Sequence, residues 1–186
     1  MRFALFGGSF DPPHAGHLLA LAYVLGVARV ERALMVPCFR HPFDKRLAPF
    51  AHRLEMCRLA AQPFGRRVEV SDVEARLGGE SRTLRTVQAL REERPEDQLV
   101  LVIGADLVGE RERWFGYPEL ERLVEFFVVG RAGYAPPEGR PSIDIPDVSS
   151  TEIRARVRRG EPVTGLLPAA VADYVVAHGL YDGAAP

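Results

Sequence analysis

Residues 3–17 read Phe3-Ala4-Leu5-Phe6-Gly7-Gly8-Ser9-Phe10-Asp11-Pro12-Pro13-His14-Ala15-Gly16-His17. The four apolar residues FALF stop at a Gly-Gly pair, the pattern of a short strand buried on both faces. Residues 15–24 are apolar and helix-prone. A strand that runs through a glycine turn into a helix is one unit of an alternating fold. The rest of the chain repeats the unit. Strands are expected at 33–36 (ALMV), 68–70, 99–103 (LVLVI) and 126–129 (FFVV), and a short one at 143–145. Helices are expected at 50–61, at 81–93 with Leu84, Val87 and Leu90 on one face, through 120–124, and at 149–159 and 169–178. Continuous apolar strands alternating with helices predict a doubly wound α/β fold: a parallel sheet covered on both faces, closed by C-terminal helices. Ligands of such sheets sit beyond the carboxyl ends of the strands.

At 186 residues the chain is long enough for one domain, on a prior of about 150 residues per domain, and residues 1–186 are read as one. Hydrophobic residues at 47% and charged residues at 26% exclude general disorder. Twenty-four basic against 25 acidic residues give a formal charge of −1. That balance argues against a nucleic-acid coat or a polybasic membrane surface, so any anion site must be built locally. The apolar run before Gly7 is too short for a signal segment. No stretch approaches the roughly 18 apolar residues of a membrane span. Cys38 and Cys57 have no CxxC spacing and read as reduced thiols in a cytoplasmic chain. Self-association is left open.

Three segments fall where ligands are expected. In the first loop, Gly7 and Gly8 allow close backbone approach, and free N–H groups at a helix start make an anion site. His14 and His17 lie three apart on one helix face, with Gly16 leaving room between them. Two imidazoles over N–H donors suit phosphate chemistry. A zinc reading of the pair lacks a third ligand, and no metal ligand is assigned. The second segment, VSSTEIR at 148–154, puts Ser149 or Ser150 at an N-cap with Glu152 placed for a capping box. Alone it reads as a well-capped helix. Its three hydroxyls and Arg154 one turn on also suit phosphates. In the third, Gly104 ends the strongest strand, and Asp106 could cap a helix or accept ribose hydroxyls. Trp114, the only tryptophan, suits either a core or a stacking surface.

Residues 8–17 resemble the G-x-F-D-P-x-H-x-G-H loop of the nucleotidylyltransferase superfamily, and residues 148–154 resemble its I-S-S-T-x-I-R motif. Residues 103–114 resemble the I-G-x-D…W segment of nicotinate mononucleotide adenylyltransferases. Residues 129–134 (VGRAGY) and the ending L-P…Y…G-L-Y at 167–181 are also similar to that family, so the resemblance spans nearly the whole chain. Two departures lie on the acceptor side: RHPFDK at 40–45 where the family has P-P-H-K, and Arg85 where it has an aspartate.

The resemblance implies a Rossmann-like nucleotidylyltransferase that joins ATP to nicotinate mononucleotide and releases pyrophosphate, with Mg²⁺ on the triphosphate. His14 and His17 are then catalytic. Gly8, Ser9, Phe10, Gly104, Asp106, Ser149, Ser150, Thr151 and Arg154 are expected at ATP. Asp11, Lys45, Thr83 and Trp114 are expected at the acceptor. The rival readings are the same fold with nicotinamide mononucleotide or phosphopantetheine as acceptor, and a nucleotide sensor without catalysis.

Overall fold

The computed structural model describes residues 1–41, 43, 46–130 and 145–183. Five strands form one all-parallel sheet: β1 (Arg2–Gly8), β2 (Arg32–Pro37), β3 (Val68–Val70), β4 (Gln98–Gly104) and β5 (Glu125–Val129), in spatial order β3-β2-β1-β4-β5. The chain winds outward from β1 to β3, returns across β1, and continues through β4 to β5. The point between β1 and β4, where the direction of winding reverses, is where such sheets open a crevice.

Strand residues alternate between two cores, as the period of two requires. Ala4, Ala33, Met35, Val100, Val102, Phe127 and Val129 pack beneath α1 (Ala15–Val27) and beside α2 (Phe50–Ala61). Phe3, Leu5, Leu34, Val36, Leu99, Leu101, Ile103 and Val128 pack on the other face, under α3 (Val73–Leu77), α4 (Thr83–Glu93) and α5 (Tyr117–Leu123). A third cluster fixes α6 (Ser150–Arg158) and α7 (Ala169–Ala177) onto α2, through Met56, Ala60, Ile153, Leu167, Val171 and Val175. No described helix is long and apolar enough to cross a membrane.

The expected α/β alternation holds, with local corrections. α4 begins at Thr83, two residues late, because Ser81 is held by the loop after β2, where its Oγ accepts the Phe39 and Arg40 N–H groups. The short α3 has no sequence expectation; five residues are too few to show a period. α2 buries Arg53, Met56, Cys57, Ala60 and Ala61. Pro168 is the N-cap of α7. Of the expected strand at 143–145, only Ile145 is described. It is buried in no strand.

Candidate functional site

A cleft of about 750 Å³ opens at the reversal between β1 and β4, over Gly7, Gly8, Ile103 and Gly104. The start of α1 forms one wall with His14 and His17, and the start of α6 the other with Ser149, Ser150, Thr151 and Arg154. Segments more than a hundred residues apart in sequence thus face one space.

The first loop is held in a demanding conformation. Phe10 has φ 47°, a left-handed value that a bulky residue keeps only when its surroundings enforce it. They do: the ring is buried and folds back over Gly8, where a Cβ would lie 3.0 Å from it. The same ring meets the edge of His17, centroids 4.9 Å apart. His14 is the N-cap of α1, and its ring lies 3.7 Å from that of His17. The His14 backbone N–H donates to His17 Nδ1 at 3.1 Å. In neutral His17 the proton is therefore assigned to Nε2, leaving that nitrogen as the donor. Gly16 leaves little room beside His14, since a Cβ there would sit 3.2 Å from two atoms of its ring.

The two motifs are bonded to each other. Ser150 Oγ donates to the Pro12 carbonyl at 3.0 Å, and Arg154 Nη1 donates to the Asp11 carbonyl at 2.7 Å. Arg154 Nη2 also reaches Thr151 Oγ1 at 3.3 Å. Ser149, not Ser150, is the cap, its Oγ accepting the Glu152 N–H. The Glu152 carboxylate pairs with Arg156 and Arg159 instead of completing a capping box. A nearby guanidinium competes well with a main-chain N–H for a carboxylate.

Asp11, expected at the acceptor, is 1% exposed and committed to the protein itself. Its Oδ1 accepts the Ala48 N–H at 3.2 Å and the Tyr181 hydroxyl at 2.7 Å, and Oδ2 lies 3.7 Å from Arg154. A carboxylate buried this deeply needs such partners. Burial, followed by the Asp11 charge, pushes the Tyr181 hydroxyl far above its ordinary value.

Gly104 and Asp106 border the cleft where β4 ends. The Asp106 carboxylate folds back onto Gly104, so close that a Cβ on the glycine would displace it. Asp106 makes no side-chain cap of the 3-10 turns at 105–113.

A second pocket of about 260 Å³ shares Gly7, Gly8, Ser9 and Ile103 with the first. Thr83, at the start of α4, and Trp114 line it. Trp114 packs against the second core and borders the pocket. Glu74 organises this end. It accepts the Phe39 N–H at 3.0 Å, the Thr86 hydroxyl at 2.9 Å and the Ser81 hydroxyl. Lys45 lies outside the described residues, as does most of the expected 129–134 turn. Among the described residues no group of three or more His, Cys, Asp or Glu could hold a metal ion.

Sequence reasoning missed Arg53, Glu74 and the anchoring role of Tyr181. Only Arg53 left a signal: it falls in helical register with Met56, Cys57 and Ala60, a charge within an apolar stripe.

Residues 5–156 match the family model described as Cytidylyltransferase-like. A relative from Anaeromyxobacter dehalogenans (strain 2CP-C), named "Probable nicotinate-nucleotide adenylyltransferase", is 47% identical over 98% of this chain and 97% of its own. One of the same name from Methylacidiphilum infernorum is 41% identical over 97% and 92%. The fold is similar to that of Plasmodium falciparum nicotinic acid mononucleotide adenylyltransferase complexed with NaAD, with a TM-score of 0.83 at 21% identity over 97% of both chains. A strand reversal flanked by an HxGH helix start and an SSTxIR helix start, together with these relatives, establishes that the chain belongs to the cytidylyltransferase-like family, among the nicotinate-nucleotide adenylyltransferases.

Proposed function

We propose that the chain transfers the adenylyl group of ATP to nicotinate mononucleotide, forming nicotinate adenine dinucleotide and pyrophosphate. One observation carries the reading: two pockets meet at a common wall, Gly7 to Ser9, and the larger is flanked by both phosphate-binding motifs. The triphosphate fits the larger pocket, between the imidazoles and the hydroxyl-bearing tip of α6. The pyridine nucleotide fits the smaller, against Trp114 and Thr83. Its 5′-phosphate then reaches the shared wall of Gly7, Gly8 and Ser9, with Phe10 next to it on the side of the larger pocket.

In this reading a phosphate oxygen of the mononucleotide attacks the α-phosphorus in line. The new P–O bond forms as the bond to the bridging oxygen breaks, and pyrophosphate leaves with that electron pair. A phosphate monoester needs no strong base, so catalysis consists of positioning and charge stabilisation. His17 donates through Nε2 to the charge growing on the leaving group, with His14 stacked beside it. Ser149, Ser150, Thr151 and Arg154 hold the departing phosphates, and Gly104 and Asp106 receive the nucleoside. Asp11 acts by fixing the loop. Mg²⁺ enters as part of the ATP substrate, coordinated by phosphate oxygens and water in place of a protein cage. The whole chain works as one unit, since α6 completes the site while packing with α7 on α2, and we place the reaction in the cytoplasm.

The test is pyrophosphate release from ATP with each mononucleotide in turn. Nicotinate mononucleotide should give the highest kcat/KM. Release only with phosphopantetheine would replace the acceptor, and ATP binding without release would make the chain a sensor.

A further inference from the structure

Arg53 heads the large side chains buried in the interior, at 2% exposure. A guanidinium offers five N–H donors in one plane and no acceptor. Here it serves four main-chain oxygens. Nε donates to Ala48 at 2.8 Å, Nη1 to Ser9 at 3.0 Å and Cys38 at 2.6 Å, and Nη2 to Phe39 at 3.3 Å. The Phe50 ring lies 5.5 Å from Cζ. Those oxygens belong to three separate segments: the phosphate loop after β1, the chain leaving β2, and the approach to α2.

The placement has a purpose beyond cohesion. A buried charge is costly, and apolar replacements of buried ionic groups are often neutral for stability or better. Asp11 supplies the compensating negative charge, and itself grips the Ala48 N–H. What an apolar residue could not do is fix Ser9 relative to Cys38 and Phe39. Ser9 and Cys38 both line the smaller pocket, and Ser9 is common to the two. Phe39 is tied through its N–H to Glu74 and Ser81, which line the smaller pocket from the far side.

We infer that Arg53 is a positioning residue for adenylyl transfer, locking the phosphate loop to the acceptor-side loop so that the two pockets keep one shared wall. This rests on the two-pocket reading above. Arg53 lines neither pocket. It acts through Ser9 and through the chain at 38–39. Attack requires the reacting atoms within about 3–3.5 Å, and a displacement of about 1 Å can cost 10²-fold. Lysine cannot substitute, because one ammonium cannot point in-plane donors at four dispersed carbonyls.

The experiment compares wild type with Arg53→Lys, Arg53→Met and Arg53→Ala. It reads pyrophosphate release with ATP and nicotinate mononucleotide, ATP affinity by titration without acceptor, and thermal melting. The expected result is folded Arg53→Lys with kcat lowered about 10²-fold and a raised KM for the mononucleotide. ATP affinity should stay within about threefold, the split expected when alignment rather than uniform binding is lost. Ethylguanidinium added to Arg53→Ala should restore part of the rate. Unchanged kinetics in folded Arg53→Lys and Arg53→Met would overturn the proposal. So would a loss that merely follows the folded fraction, with no change in the mononucleotide KM and no guanidinium rescue. A wild type that binds ATP but releases no pyrophosphate with any acceptor overturns the functional reading, and this proposal with it. Unimpaired variants of an active wild type overturn only the proposal.

Discussion

Arg154 Nη1 lies 2.7 Å from the main-chain oxygen of Asp11, so one hydrogen bond spans 143 positions of the chain. With the Ser150–Pro12 bond at 3.0 Å, it bolts the tip of α6 to the loop after β1. The start of α6 is thus registered against the loop that leads into α1 by hydrogen bonds within the chain itself. Preorganisation of this kind is what makes a fixed donor more useful than a solvated one.

Arg154→Lys keeps the charge but loses the fork that spans the Asp11 carbonyl and Thr151. kcat/KM should fall by about 10²-fold while the melting temperature moves little, because a lysine cannot reproduce a guanidinium's geometry. Steady-state kinetics beside a thermal melt decide it.

His17→Ala removes the nitrogen assigned as a donor and should lower kcat by about 10²-fold or more, on the scale of losing one oriented donor to developing charge. Turnover equal to wild type in a folded preparation would end the catalytic assignment of His17.

Gly16→Ala tests the packing behind the imidazole pair. Its Cβ would stand 3.2 Å from Cε1 and Nδ1 of His14 and 3.4 Å from Ile145, so the ring must give way by a few tenths of an ångström. A loss of about 10-fold in kcat with an unchanged melting profile is expected, since small misplacements at the reacting centre weigh on rate. Rates matching wild type would show that the His14 ring can move without consequence.

Tyr181→Phe leaves Asp11 Oδ1 with one donor fewer in a buried setting. The cost should be about 1–3 kcal/mol of stability, read from denaturant unfolding. The pH dependence has a definite sign. Burial and then Asp11 raise the folded-state value of this hydroxyl above its ordinary 10.0. Its contribution is complete below pH 10 and declines as pH climbs past that point, because only the unfolded chain then releases the proton. The wild type should therefore lose stability above pH 10 more steeply than Tyr181→Phe.

Strand positions, the two-faced sheet and the two helix-start motifs that line the cleft were legible because they depend on local signals. Apolar runs closed by glycine set β1 and β4, and hydroxyls before an amphipathic run set α6. What the sequence withheld depends on partners distant along the chain. Asp11 reads as an acceptor-side ligand, and nothing near it in sequence announces that Tyr181 and Ala48 donate to its carboxylate. Glu74 reads as an ordinary charge on a five-residue helix until Ser81, Thr86 and Phe39 converge on it. Arg53 reads as a flaw in a stripe until four carbonyls from three segments appear around it. Spacing reveals which residues share an element, but not which loops a side chain will bridge.

Tyr181 reaches Asp11 from the far end of the chain. During synthesis the phosphate loop and its strand leave the ribosome early, yet the loop's buried carboxylate cannot receive its hydroxyl partner until residue 181 has emerged. A nascent chain that already carries both helix starts lining the cleft therefore still lacks the hydroxyl that completes this carboxylate's hydrogen bonds, because the donor lies 170 positions after Asp11.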